Sequence, residues 1–125
     1  MFIRKRNEIV GTQWGNGTSH RMLTEKDGMG FTVAHTVVNA GSESRLQYRR
    51  HLEACYCISG RGSVISADGS EHHVIEPGCI YVLDKHDPHI LKAAADQDLH
   101  LVSVFNPPLT GEEQHHLSED GFSQY

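Results

Sequence analysis

Turn-forming residues interrupt this sequence at short intervals, and this spacing limits the chain to a fold built from short elements. Gly, Pro, Asn and Asp cluster at 15–17, 26–28, 39–41, 60–62, 68–69, 77–78, 87–88 and 106–108. The segments between these clusters are rich in β-branched and aromatic residues and show no sustained period of 3.6 residues. Many short strands at regular spacing are typical of a β-sandwich or β-barrel.

We therefore predict an all-β fold. The expected strands are 31–38, 52–58, 62–66, 72–75, 80–83, 90–93 and 100–105. The sequence Ala67-Asp68-Gly69-Ser70 lies between two of these strands and predicts a β-hairpin. The tail from Thr110 to Tyr125 is short and polar, a composition that suits a helical turn or a flexible lid.

Length and charge restrict the class of protein. A chain of 125 residues suits one core, and we expect residues 1–125 to form a single domain. The net charge of -5, with both signs interspersed, argues against binding to nucleic acid or to a membrane surface. No apolar run approaches the roughly 18 residues that a membrane-spanning helix needs.

The N-terminus and the cysteines favour a cytoplasmic location. The basic start, Met1 to Arg6, has no apolar segment behind it and is not a secretion signal. Three cysteines are an odd number, and Cys55 and Cys57 lie two positions apart on an expected strand, which suits a disulfide poorly. We expect reduced thiols that pack as small apolar side chains.

Two segments have the spacing of the paired motifs that build a metal pocket in the cupins. The first runs from Gly41 through Glu53 to Gly60, and the second runs from the turn Pro77-Gly78 to His89. This resemblance implies a small cupin-type β-barrel or jelly roll.

The first motif lacks two of the usual cupin ligands. Gln47 and Arg49 occupy the two positions where cupins usually have histidines, so Glu53 and His89 need a further partner if a metal is bound. Tyr81 is the candidate, because it lies on the expected strand that leads to His89. A phenolate is a hard oxygen donor and suits iron better than metals that prefer thiolates.

Longer segments narrow the resemblance to the ectoine synthases. They include His51-Leu52-Glu53-Ala54, Tyr56-Cys57-Ile58, Ile80-Tyr81, Leu83-Asp84 and the run Val104-Phe105-Asn106-Pro107-Pro108-Leu109-Thr110-Gly111. The resemblance covers nearly the whole chain. It implies a homodimeric, Fe(II)-dependent lyase of the hydro-lyase type. The implied reaction closes N-γ-acetyl-L-2,4-diaminobutyrate, a small molecule, into the compatible solute ectoine with loss of water.

The same resemblance assigns roles to individual residues. The metal ligands fall on Glu53, Tyr81 and His89, with Fe(II) as the expected ion and another divalent metal as the alternative. The residues expected to transfer protons are Glu113 and Tyr48, with His51 in reserve. The residues expected to bind substrate are Ser19, Arg21, Thr36, Phe105, His115 and Trp14.

Two positions depart from the family pattern. Gly17 precedes Thr18-Ser19 where the family usually has tryptophan, and Trp14 lies upstream in a shortened segment. Ser103 stands where the family often has cysteine. The first departure leaves two alternatives open. One is a related cupin that cyclises or hydrolyses a different N-acylated amino acid, and the other is a non-catalytic cupin that binds a small polar ligand.

Overall fold

The computed structural model describes residues 1–113, 116–117 and 122–124, and strands are the main regular secondary structure of these residues. Two three-residue 3-10 turns, Arg6–Glu8 and Glu25–Asp27, are the helical elements of this part of the chain. The strands are β1 (Thr12–Gln13), β2 (Gly17–Leu23), β3 (Thr32–Val38), β4 (Glu43–Leu46), β5 (Leu52–Ser59), β6 (Gly62–Ser66), β7 (His72–Ile75), β8 (Ile80–Leu83), β9 (His89–Ala93), β10 (Leu99–Asn106), β11 (His116–Leu117) and β12 (Ser123–Gln124).

The strands form two six-stranded sheets with the core between them. Sheet A has the order β1-β2-β3-β10-β5-β8, and sheet B has the order β11-β12-β4-β9-β6-β7. Neighbouring strands run antiparallel, apart from β12 and β4, which are parallel. β7 and β8 each end a sheet. The all-β prediction is confirmed.

Alternation along each strand decides which side chains reach the core. In β5, Glu53, Cys55 and Cys57 are buried, whereas Tyr56 and Ile58 are exposed. Successive side chains of a strand point to opposite faces, so this pattern places the odd-numbered residues between the sheets. The core joins residues of both sheets, among them Val38, Leu101, Val64, Ile75 and Leu91.

The seven strands expected from the sequence are present, with ends that differ by one residue at most. The hairpin around Gly69 is also confirmed: β6 pairs with β7, and Gly69 adopts a positive φ of 76°. Strands β2 and β4 are not among the expected strands. The residues of β2 are mostly polar, and its pairing with β3 makes it a strand. In the tail, the described residues form β11 and β12 rather than a helical turn.

Two further expectations concern the whole chain. No helix in the described part of the chain has the length and apolar character to cross a membrane. Cys55, Cys57 and Cys79 are free thiols, and the first two are buried.

Candidate active site

A narrow cavity of about 20 Å³ lies between the two sheets. Seven of the residues predicted to form a site line it: Trp14, Ser19, Thr36, Tyr48, Glu53, Tyr81 and Phe105. Five further residues complete its wall: Leu46, Cys55, Leu91, Leu101 and Ser103. The wall mixes apolar side chains with a few polar groups, as the walls of small-ligand pockets do.

The strand register of sheet A brings the polar residues together. On β5, Glu53 lies opposite Phe105 of β10, and Cys55 lies opposite both Ser103 of β10 and Tyr81 of β8. Directly opposed side chains of antiparallel strands share one face of the sheet. The inner face of sheet A is therefore polar around Glu53.

Glu53 is buried and carries a strongly perturbed carboxyl group. Burial raises its pKa from 4.5 to about 7, while hydrogen bonds from Cys55 and Ser103 partly oppose this rise. Desolvation disfavours the ionised form of a carboxyl group. A cation bound at this carboxylate would offset that cost, so the site suits a positively charged ligand.

The groups next to Glu53 stay protonated. Burial raises the pKa of the Cys55 thiol well above its ordinary value, and the nearby Glu53 charge adds to the rise. Burial likewise raises the pKa of the Tyr81 phenol, with further contributions from Cys55 and Glu53. A thiol and a phenol that keep their protons can donate hydrogen bonds to a carboxylate.

His89 of sheet B presents an unpartnered nitrogen. Its Nδ1–H donates to the Asp87 carbonyl oxygen at 2.9 Å, which leaves Nε2 as the nitrogen with the lone pair. Nε2 is buried and has no hydrogen-bond partner among the described residues. Burial lowers the pKa of this imidazole, so the ring is neutral near pH 7. A neutral histidine fixed through its other nitrogen is typical of a metal ligand.

The three predicted metal ligands come from both sheets. Tyr81 lines the first cavity together with Glu53 and also lines a second cavity together with His89. Within the described residues, no group of three His, Cys, Asp or Glu side chains converges on one point. A metal site here therefore depends on the tyrosine oxygen, and the orphaned Nε2 of His89 and the buried Glu53 carboxyl fit such a site.

Trp14 lines the cavity next to Gly17. A Cβ atom at position 17 would stand 1.8 Å from the Val37 carbonyl oxygen and 3.1 Å from Nε1 of Trp14. Position 17 therefore admits glycine alone, because the backbone of β3 approaches it too closely for a side chain. The indole of Trp14 instead occupies the wall at this point, and its backbone N–H donates to the Gly17 carbonyl at 3.1 Å.

An aromatic cluster supports the wall on the His89 side. The rings of Tyr48 and Phe105 pack edge to face with centroids 5.3 Å apart, and the Tyr48 ring lies 6.3 Å from that of His89. Tyr48 is 6% exposed. The Nδ1–H of His86 donates to its carbonyl oxygen at 2.9 Å, which fixes the backbone at this residue.

Arg21 and Glu113 do not line the cavity. The guanidinium of Arg21 donates to the carbonyl oxygens of Gly111 and Glu113 and so ties that turn to β2. The Glu113 carboxylate accepts hydrogen bonds from the Thr110 N–H at 2.8 Å and the Gly111 N–H at 3.0 Å. Burial raises the pKa of Glu113, but these hydrogen bonds outweigh burial and lower it overall.

A third predicted residue, His51, also lies apart from the cavity wall. His51 is buried, donates from Nδ1 to the Pro107 carbonyl oxygen at 2.7 Å and packs against the Phe105 ring. It therefore supports the wall from behind. His115 lies outside the described residues.

Cys55 and Ser103 are the polar wall residues that the sequence analysis did not assign to the site. The sequence predicts a core side chain at Cys55, and Ser103 departs from the family pattern. Strand periodicity offered a signal, because each lies two positions from an assigned residue, Glu53 and Phe105.

The fold and the site together define the class of protein. The chain superposes on a cupin 2 conserved barrel domain protein from Salinispora arenicola with a TM-score of 0.68. The match covers 84% of this chain and 87% of that chain at 18% sequence identity, so it speaks for the fold alone. The protein has the cupin jelly-roll fold, as the motif spacing predicted.

Closer relatives identify the family within that class. The family profile described as ectoine synthase matches residues 1–124. The chain is 46% identical to the L-ectoine synthase of Desulfatibacillum aliphaticivorans over 127 residues, covering 97% of this chain and 95% of that relative. It matches the crystal structure of ectoine synthase from P. lautus with a TM-score of 0.82 and 41% identity, over 89% of this chain and 81% of that chain. The chain belongs to the ectoine synthase family.

Proposed function

We propose that this protein is a hydro-lyase that closes N-γ-acetyl-L-2,4-diaminobutyrate into ectoine and releases water. The observation that carries the proposal is the match to a solved ectoine synthase over 89% of the chain. The polar cavity falls within the same barrel. Its lining of hydroxyl, carboxyl and aromatic groups suits a small zwitterionic substrate.

We infer that a divalent metal, Fe(II) in the first place, is held by Glu53, Tyr81 and the Nε2 atom of His89. When bound, such an ion acts as a Lewis acid that polarises the acetamide oxygen. The neutral imidazole of His89 and the ionisable carboxyl of Glu53 supply one nitrogen and one hard oxygen donor. Another divalent metal of similar preference remains the alternative.

The balance of protons defines what the wall residues must do. The α-nitrogen forms a bond to the acetamide carbon, and the carbonyl oxygen leaves as water with two protons that the nitrogen gives up. The reaction therefore consumes no net proton. One group that accepts a proton from nitrogen and returns it to oxygen is sufficient.

Tyr48 is the proposed proton-transfer residue, because among the three candidates it is the one that lines the cavity. Glu113 would first have to release its hydrogen bonds to Thr110 and Gly111. His51 contributes by holding Phe105 and the Pro107 carbonyl in place.

The remaining wall residues position the substrate and limit water. The hydroxyls of Ser19 and Thr36 lie opposite each other on β2 and β3 and offer hydrogen bonds to the carboxylate or amide of the substrate. Leu91, Leu101 and Phe105 supply an apolar wall. Holding the amine within roughly 3–3.5 Å of the carbonyl carbon replaces much of the entropic barrier to ring closure.

Turnover of the purified protein tests this proposal. Incubation with Fe(II) and the acetylated diaminobutyrate should yield ectoine by NMR, whereas release of acetate would indicate a hydrolase and unchanged substrate a binding protein. His89→Ala should lose bound iron and turnover together. An alanine variant that keeps both would contradict the proposed metal site.

We further propose a homodimer that associates through the outer face of β5, β8 and β10. Large apolar side chains are exposed side by side there: Leu52, Tyr56, Ile58, Ile80, Val82 and Val104. A contiguous exposed apolar patch marks an interaction surface. Twofold association would bury this patch against its own copy.

We propose that the protein is cytoplasmic. We also propose that it forms one cupin domain and that this domain binds a small molecule rather than nucleic acid or a membrane. The free state of Cys55, Cys57 and Cys79 supports a reducing compartment.

A further inference from the structure

The inner face of sheet A carries a chain of short polar contacts that ends at Glu53. The Thr36 hydroxyl lies 2.9 Å from the Ser103 hydroxyl, and the Ser103 hydroxyl lies 3.5 Å from the Cys55 sulfur. Cys55 and Ser103 are each 1% exposed and lie directly opposite each other in the β5–β10 register. Water therefore has little access to this part of the wall.

The Cys55–Ser103 contact lies on the same face of sheet A as Glu53, and all three residues line the cavity. Burial raises the pKa of the Glu53 carboxyl group, and hydrogen bonding from the Cys55 thiol and the Ser103 hydroxyl opposes this rise. Cys55 also lies directly opposite Tyr81, its cross-strand neighbour on β8. The thiol thus lies on the same face of the sheet as Glu53 and Tyr81, two of the three residues that the proposed function assigns to the metal.

Glu53 relies on these uncharged groups for its orientation. None of the ion pairs in the described part of the chain includes Glu53. A buried carboxylate that lacks a cationic partner takes its direction from its hydrogen-bond donors. Groups that hold a metal ligand through a hydrogen bond fix the position of its donor atoms.

We propose that Cys55 and Ser103 are positioning residues that hold the Glu53 carboxyl and the Tyr81 phenol toward the cavity. Ser103 also links this pair to Thr36, so the wall that faces substrate and the proposed metal ligands share one network. The proposal rests on the proposed function in taking Glu53 and Tyr81 as ligands. It differs from simple packing of a small apolar side chain, because it requires the S–H and O–H groups themselves.

Metal affinity of the metal-free full chain tests the proposal. Titration with Co(II) against a competing chelator should show 10–100-fold weaker binding for Cys55→Ala and for Ser103→Ala, the usual cost of losing a partner of a metal ligand. Cys55→Ser, which keeps a donor in a similar place, should bind Co(II) nearly as tightly as the wild type. Excess metal should restore most of the turnover lost in Cys55→Ala.

Cys57→Ala is the matched control. Cys57 lies two residues along the same strand, is 0% exposed, and its thiol faces the Ser59 carbonyl oxygen at 3.5 Å instead of a carboxyl group. This variant should keep wild-type Co(II) affinity while losing a similar amount of thermal stability. Equal weakening in Cys57→Ala and Cys55→Ala would assign the effect to packing and overturn the proposal.

Three other outcomes also decide the matter. Wild-type Co(II) affinity in Cys55→Ala, or no Co(II) binding by the wild type, would overturn the positioning role. A sulfur-to-cobalt charge-transfer band that vanishes in Cys55→Ser would make the thiol a ligand and would overturn it too. If the wild type binds Co(II) tightly, Cys55→Ala binds it weakly and no ectoine forms, the positioning role stands and the proposed reaction fails.

Discussion

The carboxyl group of Glu53 makes the stability of the metal-free protein depend on pH in a direction that the structure fixes. Burial raises the pKa of Glu53 in the folded state to about 7, whereas the unperturbed carboxyl group of the unfolded chain has a pKa of 4.5. Between these values the folded state holds a proton that the unfolded chain has released. The contribution of Glu53 to the free energy of unfolding is therefore fully present below about pH 4.5 and is lost as the pH rises through about 7.

The size of the effect follows from the same two values. One pKa unit corresponds to ~1.4 kcal/mol, so ionising Glu53 in the folded, metal-free protein costs about 3 kcal/mol above neutral pH. Glu53→Gln removes the charge and keeps nearly the same shape. The free energy of unfolding of this variant, relative to the wild type, should rise by about 3 kcal/mol between about pH 4.5 and about pH 8.

Urea unfolding in the presence of a chelator, followed by circular dichroism, measures this difference. Titration of His89, whose pKa burial lowers, changes stability in the opposite direction, but it is common to both proteins and largely cancels. A divalent metal at high pH should stabilise the wild type and narrow the gap, because the ion binds the folded state. Parallel stability curves for the two proteins across this range would refute the reasoning.

Three further predictions address other parts of the molecule. Gly17→Ala places a methyl group 1.8 Å from the Val37 carbonyl oxygen and should lower the free energy of unfolding by about 3 kcal/mol. Gly69→Ala, in open space but at a positive φ, should lower it by only about 1 kcal/mol. Equal losses in the two variants would contradict the close approach at Gly17. Val82→Asp should convert the proposed dimer to monomers in analytical ultracentrifugation, while Val74→Asp, at an exposed position of the other sheet, should leave the mass unchanged. Arg21→Met should raise the rate of amide hydrogen exchange in the turn at 110–113 by about tenfold or more and leave metal affinity unchanged. An unchanged exchange rate would show that the hydrogen bonds of Arg21 do not stabilise this turn.

Local pattern predicted most of the barrel and much of the site. The strands from Leu52 to Ser59 and from Leu99 to Asn106 could be predicted, because β-branched residues and flanking turn residues are local features of the sequence. The polar strand β2 could not, since a strand of this composition is stabilised only by its neighbour. The same limit applies to Ser19, whose place in the cavity was expected only from the family resemblance.

The candidate site shows a similar division. Glu53 and Tyr81 were expected from motif spacing and resemblance, and both line the cavity. Arg21 and Glu113 were expected to act on substrate, yet their polar groups are engaged with the turn at 110–113 in this structure. The sequence gives the residue type at each position, but the folded backbone determines which hydrogen-bond partners its side chain has.

The sequence by itself determined the class of fold, the family and the residues able to carry its chemistry, because turn residues, strand periodicity and motif spacing are properties of the chain in order. Tertiary structure alone decided how those residues meet. It placed Cys55 opposite Ser103 and Tyr81 through strand register. It left the buried Nε2 of His89 without a hydrogen-bond partner among the residues that the structure describes. It also placed Trp14 beside Gly17, where the Val37 carbonyl leaves no room for a side chain. These are contacts between residues far apart in sequence, and they depend on register and burial, which no local pattern encodes.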